Sequence, residues 1–245
     1  MAKKKEGGLG EALRTIIYAV ILALFVRTFG YEPFSIPSGS MIPTLLVGDY
    51  LFVSKFAYGY SRYSLPFSLP LFSGRVLGEE PVQGDVVVFK LPSDNETDYI
   101  KRLIGLPGDR IQVIDNVLHI NGEPVKKEYL RTVEQEGFLG YKIRVREYLE
   151  TLPNGVQHLI WEHESKPSET TPEYLVPPEH FFFMGDNRDS SQDSRVLSIV
   201  GYVPYVNLVG KAEFLFFSND GAAPIWQIWR WPTSVRWSRI GDSID

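Results

Sequence analysis

A mostly β fold behind a single N-terminal membrane helix is what this 245-residue chain predicts. Three observations carry that reading. Thr15 to Val26 (TIIYAVILALFV) runs without a charge, bracketed by Arg14 and Arg27. Downstream, short β-branched and aromatic runs alternate with Gly, Pro and Asn turn signals. Helical periodicity is weak beyond the apolar run. The composition is that of a folded protein, with 44% hydrophobic and 22% charged residues, which excludes disordered and collagen-like classes. A formal charge of −5 argues against a nucleic-acid partner, because nothing supplies the electrostatic attraction such binding needs. Cysteine is absent, which removes disulfides, Cys-ligated zinc, iron–sulfur clusters and thiol nucleophiles together.

Taken in order, the apolar run is short for a span of about 20 residues. Counted from Leu9 to Tyr31 with snorkelling Arg heads, it reaches about 34 Å. It reads as a membrane anchor. A cleavable signal peptide and a core helix are the alternatives. The first lacks an A-x-A site after the run, and the second would not be apolar all round. Lys3, Lys4 and Lys5 place the first residues in the cytoplasm and the rest outside by the positive-inside rule. Strands are expected at 50–53, 85–89, 179–184 and 208–217, with hairpin strands at 110–114 and 117–120 joined by Asp115-Asn116 and closed by Asn121-Gly122. Residues 60–84 read as a long loop. Residues 123–178 are more polar than their flanks and read as an insertion.

Three polar segments are candidates for chemistry. Ser35-Ile36-Pro37-Ser38-Gly39-Ser40-Met41 is either a turn or the seat of a nucleophile. Its base is not an obvious histidine: His119, His158, His163 and His180 are isolated, and no H-E-x-x-H pattern points to a metal. Lys101, between apolar neighbours, is either a surface lysine or a buried base, since burial disfavours the ammonium. Gly185 to Arg195 is dense in short polar side chains and departs from a calcium-loop pattern.

Together the three segments resemble the bacterial type I signal peptidases. Ser35 to Asp49 looks like that family's serine box, Gly84 to Pro92 and Asp98 to Asp109 like its lysine box, and Gly185 to Arg195 like its third signature. Lys55 to Gly59 and Asn207 to Lys211 also fit. The resemblance covers most of the chain outside roughly 111–180 and the C-terminal tail. After Arg195 the chain departs: Val196 to Pro204 is about three residues longer than the family pattern and lacks its Trp.

The resemblance implies a β-rich catalytic domain with an inserted smaller β subdomain: 1–30 as cytoplasmic N-terminus and anchor, 31–114 and 179–245 as catalytic core, 115–178 as insertion. It implies Ser40 as nucleophile and Lys101 as general base. Ser38 and the Ser40 N–H would hold the oxyanion, and Ser191 would hydrogen-bond Lys101. Asp193, Arg195 and Arg188 would brace the loop. Ile36, Met41, Leu45, Tyr99 and Ile100 would surround shallow pockets for small residues at −1 and −3. No metal or cofactor is implied. The partners would be preproteins, membrane lipid and the secretion machinery. Three rival readings are an inactive tethered binding domain, a Ser/Lys maturation peptidase of narrower range, and a Ser-His hydrolase using His180. Trp226, Trp229, Trp231 and Trp237 near the end of the chain are either core aromatics or interfacial anchors.

Overall fold

The computed structural model describes residues 9–65, 68–69, 71–136, 142–220 and 227–244. Leu9–Phe29 form one helix. Within it, Gly10–Phe29 is long and apolar enough to cross a membrane. Its large side chains from Leu13 to Phe29 are exposed, so it is not the core helix of a globular fold.

Gly30 alone separates this helix from the first strand, Tyr31–Ser35. The junction is braced from several sides. The Gly30 carbonyl accepts the Lys55 N–H at 3.0 Å. The Phe29 carbonyl accepts the Tyr60 hydroxyl at 2.8 Å, and the two rings meet edge-on. Glu32 sits between Arg27 and Lys55, at 2.6 Å from each.

Seven antiparallel strands form the central sheet, in the spatial order Tyr31–Ser35, Asp49–Ser54, Leu208–Ser218, Val86–Lys90, Asp98–Gly105, His180–Met184 and Val203–Pro204. The expected strands at 50–53, 85–89, 179–184 and 208–217 fall within one residue of these bounds. Three strands of this sheet escape the sequence signals, the two-residue Val203–Pro204 among them. Tyr31–Ser35 contains Pro33, which an edge strand tolerates. Asp98–Gly105 has its apolar pattern broken by Lys101 and Arg102. Val86 and Val88 pack into one buried cluster, and Val87 and Phe89 into another. That alternation explains the unbroken apolar run: the strand is covered on both faces.

The 110–114 and 117–120 hairpin forms as expected, and Asp115 and Asn116 both take the positive φ that its two-residue turn requires. Asn121-Gly122 closes a second, shorter pairing onto Glu123–Pro124. These strands and Tyr174–Leu175 make a four-stranded sheet that straddles residue 115. Lys126–Glu136, Lys142–Thr151 and Gln157–His163 make a separate three-stranded sheet. Its Val145 and Trp161 pack on Ile42, two residues past Ser40. The longer segment after Arg195 is a compact turn. Its Val196 carbonyl accepts from the N–H groups of Ile199, Val200 and Gly201, and Val200 joins the core.

Candidate active site

The first two strands pair Ser35 with Tyr50, and the chain between them is pinched at its base. The Ile36 N–H donates to the Asp49 carbonyl at 2.8 Å, and the Gly48 N–H to the Ile36 carbonyl at 3.0 Å. The pinch projects a turn carrying Ser38, Ser40 and a cis Ile42–Pro43 peptide. Ser40 is buried, while Ser38 lies exposed beside it with the two hydroxyls 3.5 Å apart.

Lys101 comes from the facing strand Asp98–Gly105 and is 4% exposed. Its Nζ lies 2.8 Å from Ser40 Oγ and donates to the Ile100 carbonyl at 2.8 Å. The Tyr99 ring centroid stands 5.1 Å away. Burial pulls the Lys101 pKa down to about 8, against the opposing pull of the Asp193 and Asp186 carboxylates. A substantial fraction is therefore the neutral amine near pH 8, the form able to accept a proton.

The third polar segment holds the turn from behind. The Asn187 N–H donates to the Ser40 carbonyl at 3.1 Å, and its side-chain amide to the Gly39 carbonyl at 3.0 Å. Asp186 accepts Arg102 Nε and Nη2, each at 2.9 Å, and the Thr44 hydroxyl at 2.5 Å. Burial by itself raises the Asp186 pKa; Arg102 and His158 more than cancel that and hold it well below the carboxylate range. Asp193 pairs with Arg195 through both oxygens, and its Oδ2 also accepts the Gly185 N–H at 3.0 Å.

Residues 9–217 match the family model described as signal peptidase, peptidase S26. The chain belongs to the S26 signal peptidases. A signal peptidase I of Rickettsia typhi is 42% identical over 94% of this chain and 92% of its own. That of Rickettsia conorii is 43% identical over 82% of this chain and 77% of its own. A solved signal peptidase I of Enterococcus faecalis is 24% identical, with a TM-score of 0.31 over 54% of this chain and 97% of its own, a likeness too low to bear on the argument. S26 signal peptidases are serine peptidases, and this member carries a helix able to anchor it in a membrane.

The remaining residues expected from the S26 resemblance divide. Ile36, Tyr99 and Ile100 line an open groove that runs past Ser40 and Lys101 and also takes in Ser190 and Gln192. Met41 and Leu45 do not line it. Both are fully buried and pack with Ile36, because the turn after Ser40 directs them into the core behind the groove wall. The expected Ser191–Lys101 hydrogen bond is not formed; Nζ bonds Ser40 and the Ile100 carbonyl. Ser191 Oγ is buried, makes no hydrogen bond of ordinary geometry, and lies near enough to Asp193 to help keep it ionised. Arg188 braces differently from Asp193 and Arg195. Its carbonyl accepts from Arg195, but its guanidinium makes a two-pronged pair with Glu150 of the three-stranded sheet. Trp226 lies outside the described residues.

No histidine reaches Ser40. His119 and His180 bond nearby carbonyls, His163 bonds Ser190, and His158 lies between two carboxylates. The Ser-His reading with His180 is thereby without a geometric basis. Sequence reasoning missed Arg102, Thr44, Asn187 and Gly185 as site residues. Arg102 had a signal, since a charge inside an apolar strand next to Lys101 demands a partner.

Gly185 gives a direct test of how tightly the site is built. A methyl group there would lie 2.5 Å from the Ser40 carbonyl and 2.2 Å from Ser191 Oγ. Gly185→Ala is expected to displace the Ser40 turn and lower single-turnover cleavage roughly 100-fold. Circular dichroism alongside the assay shows whether the fold survives.

Proposed function

We propose that this enzyme removes N-terminal signal peptides from preproteins with Ser40 as nucleophile and Lys101 as general base, cutting after small residues at −1 and −3. The observation that carries the reading is the 2.8 Å approach of Nζ to Oγ between two buried side chains at the floor of the groove. Neutral Lys101 takes the Ser40 proton as Oγ attacks the scissile carbonyl. The tetrahedral oxyanion is held by the Ser40 N–H and the Ser38 hydroxyl, a type of contact worth about 3–4 kcal/mol per donor. Lys101 then protonates the leaving amine. After departure of the mature protein, Lys101 deprotonates the water that splits the acyl-enzyme. Ser191 takes the role of holding Nζ once acylation has removed the Ser40 hydroxyl. Asp193 and Arg195 keep its loop in place.

Specificity in this reading comes from exclusion. Ile36 and Ile100 wall the groove, and buried Met41 and Leu45 stiffen that wall from behind, so bulky side chains at −1 and −3 are shut out. The basic N-terminus faces the cytoplasm and the catalytic domain the outer side, where preproteins emerge from the secretion machinery. Trp229 and Trp237, 71% and 58% exposed, support contact with lipid headgroups.

The test uses the full chain in detergent and a purified preprotein under single-turnover conditions. Cleavage is expected to rise with pH through about 8 as Lys101 loses its proton. Ser40→Ala is expected to cut nothing, and valine in place of alanine at −1 is expected to slow cleavage roughly 10–200-fold. Cleavage by Ser40→Ala, or a flat profile from pH 6 to 10, contradicts the reading.

A further inference from the structure

The insertion contributes a buried histidine to a row of charges that ends on the Ser40 turn. His158, on the strand Gln157–His163, is fully buried. Its Nε2 faces Glu150 Oε2 at 3.3 Å, and its Nδ1 faces Asp186 Oδ1 at 3.5 Å. Glu150 is held by Arg188 and Asp186 by Arg102, all four of them buried. The row therefore reads Arg188, Glu150, His158, Asp186, Arg102. Asp186 is followed by Asn187, whose amides hold the Gly39 and Ser40 carbonyls.

One feature of this row bears on the charge of His158. A neutral imidazole has one N–H and one lone pair. In either tautomer that lone pair would face a carboxylate oxygen, at a separation that leaves no room for an intervening water. Neither contact has the alignment of a full hydrogen bond, so charge attraction must do the holding.

We propose that His158 is held as an imidazolium between Glu150 and Asp186, and that it is a positioning residue through which the insertion sets the electrostatic surroundings of Lys101. This rests on Lys101 being the general base. Asp186 is one of the two carboxylates that favour the charged form of Lys101. A cation beside Asp186 offsets that effect and favours the neutral amine. The groups facing His158 are Glu150 on the neighbouring strand and Asp186 on the loop after His180–Met184, with Arg188 and Arg102 behind them.

The experiment has two arms on the full chain in detergent. In the first, the chain is labelled with nitrogen-15 in its histidines, and the four signals are assigned by difference with single His variants. Both His158 ring nitrogens are expected to be protonated at pH 7.5. In the second, His158→Gln removes the charge and keeps a polar group of similar reach. The acid limb of its single-turnover pH profile is expected to move up by about 0.5 pH unit. Its KM should stay within about twofold of wild type, since the groove is untouched. His119→Gln, remote from the site, should move neither. A neutral His158 at pH 7.5, or an acid limb that stays in place, overturns the proposal. If His158→Gln does not fold, the first arm decides on the wild-type protein. A wild-type profile lacking the limb altogether would instead remove Lys101 as the base, so the two failures are distinguishable.

Discussion

Lys101→Met is expected to lower single-turnover cleavage by about 10³-fold or more at pH 8 while the protein stays folded. The expectation follows from geometry and burial together. Nζ is the basic group within hydrogen-bond reach of Ser40 Oγ, and the neighbouring Ser38 hydroxyl is no base at this pH. Methionine has nearly the same length and no charge, so it fills the same slot. Its stability should match wild type or exceed it, because an ammonium 4% exposed no longer has to be desolvated. Asp186 and Asp193 each keep an arginine. Lys101→Arg should be as inactive as the methionine variant, since a guanidinium does not give up its proton. Thermal unfolding measured beside the cleavage assay separates lost chemistry from lost structure. Turnover within tenfold of wild type in either variant would place the base elsewhere.

Asp186→Ala should cost about 3–5 kcal/mol of stability, the usual penalty for removing one partner of a buried ion pair. Arg102 is fully buried and would lose the carboxylate that takes two of its N–H groups. Thr44 and His158 lose a partner in the same step. Urea unfolding measures the effect, and an Asp186→Ala, Arg102→Leu double variant should be more stable than the sum of the single losses predicts. A cost under 1 kcal/mol would mean that the pair is not what secures the turn. The pair also makes stability depend on acid. Asp186 is held well below the carboxylate range and Glu150 at about 2. For both, burial pushes upward and the neighbouring arginine and His158 outweigh it. Groups with folded values below their unfolded ones stabilise fully above the unfolded pKa, near 4, and lose that contribution as pH falls toward the folded value. Unfolding midpoints should therefore drop steadily between about pH 4 and 2.

What could be read in advance depended on how local the signal was. The central strand Val86–Lys90 announced itself because burial on both faces leaves four apolar residues in a row. Asp115-Asn116 announced a hairpin because few residues accept positive φ in succession. The serine turn, Lys101 and the polar loop were each ambiguous by themselves and became specific only as a set. Met41 and Leu45 show where that method ran out. Their neighbourhood along the chain was right, but the face they present depends on the turn that follows Ser40, a feature of the folded backbone. Glu150 and His158 carried no advance sign of involvement, because their partners lie at sequence distances that no motif spans.

The single residue between the membrane helix and the first strand has a consequence for where this enzyme can cut. A blade on a loose cord could sweep a broad zone and sever any exposed bond it met. Gly30, clasped by Lys55 while Tyr60 holds the adjacent Phe29, grants no slack of that kind. In the reading proposed above, a helix in the bilayer would carry the groove at a set altitude over the lipid, and the enzyme would work as a depth gauge. Reading a preprotein would then be partly a matter of length: the bond offered to Ser40 would be the one that the preceding apolar stretch lifts to its height.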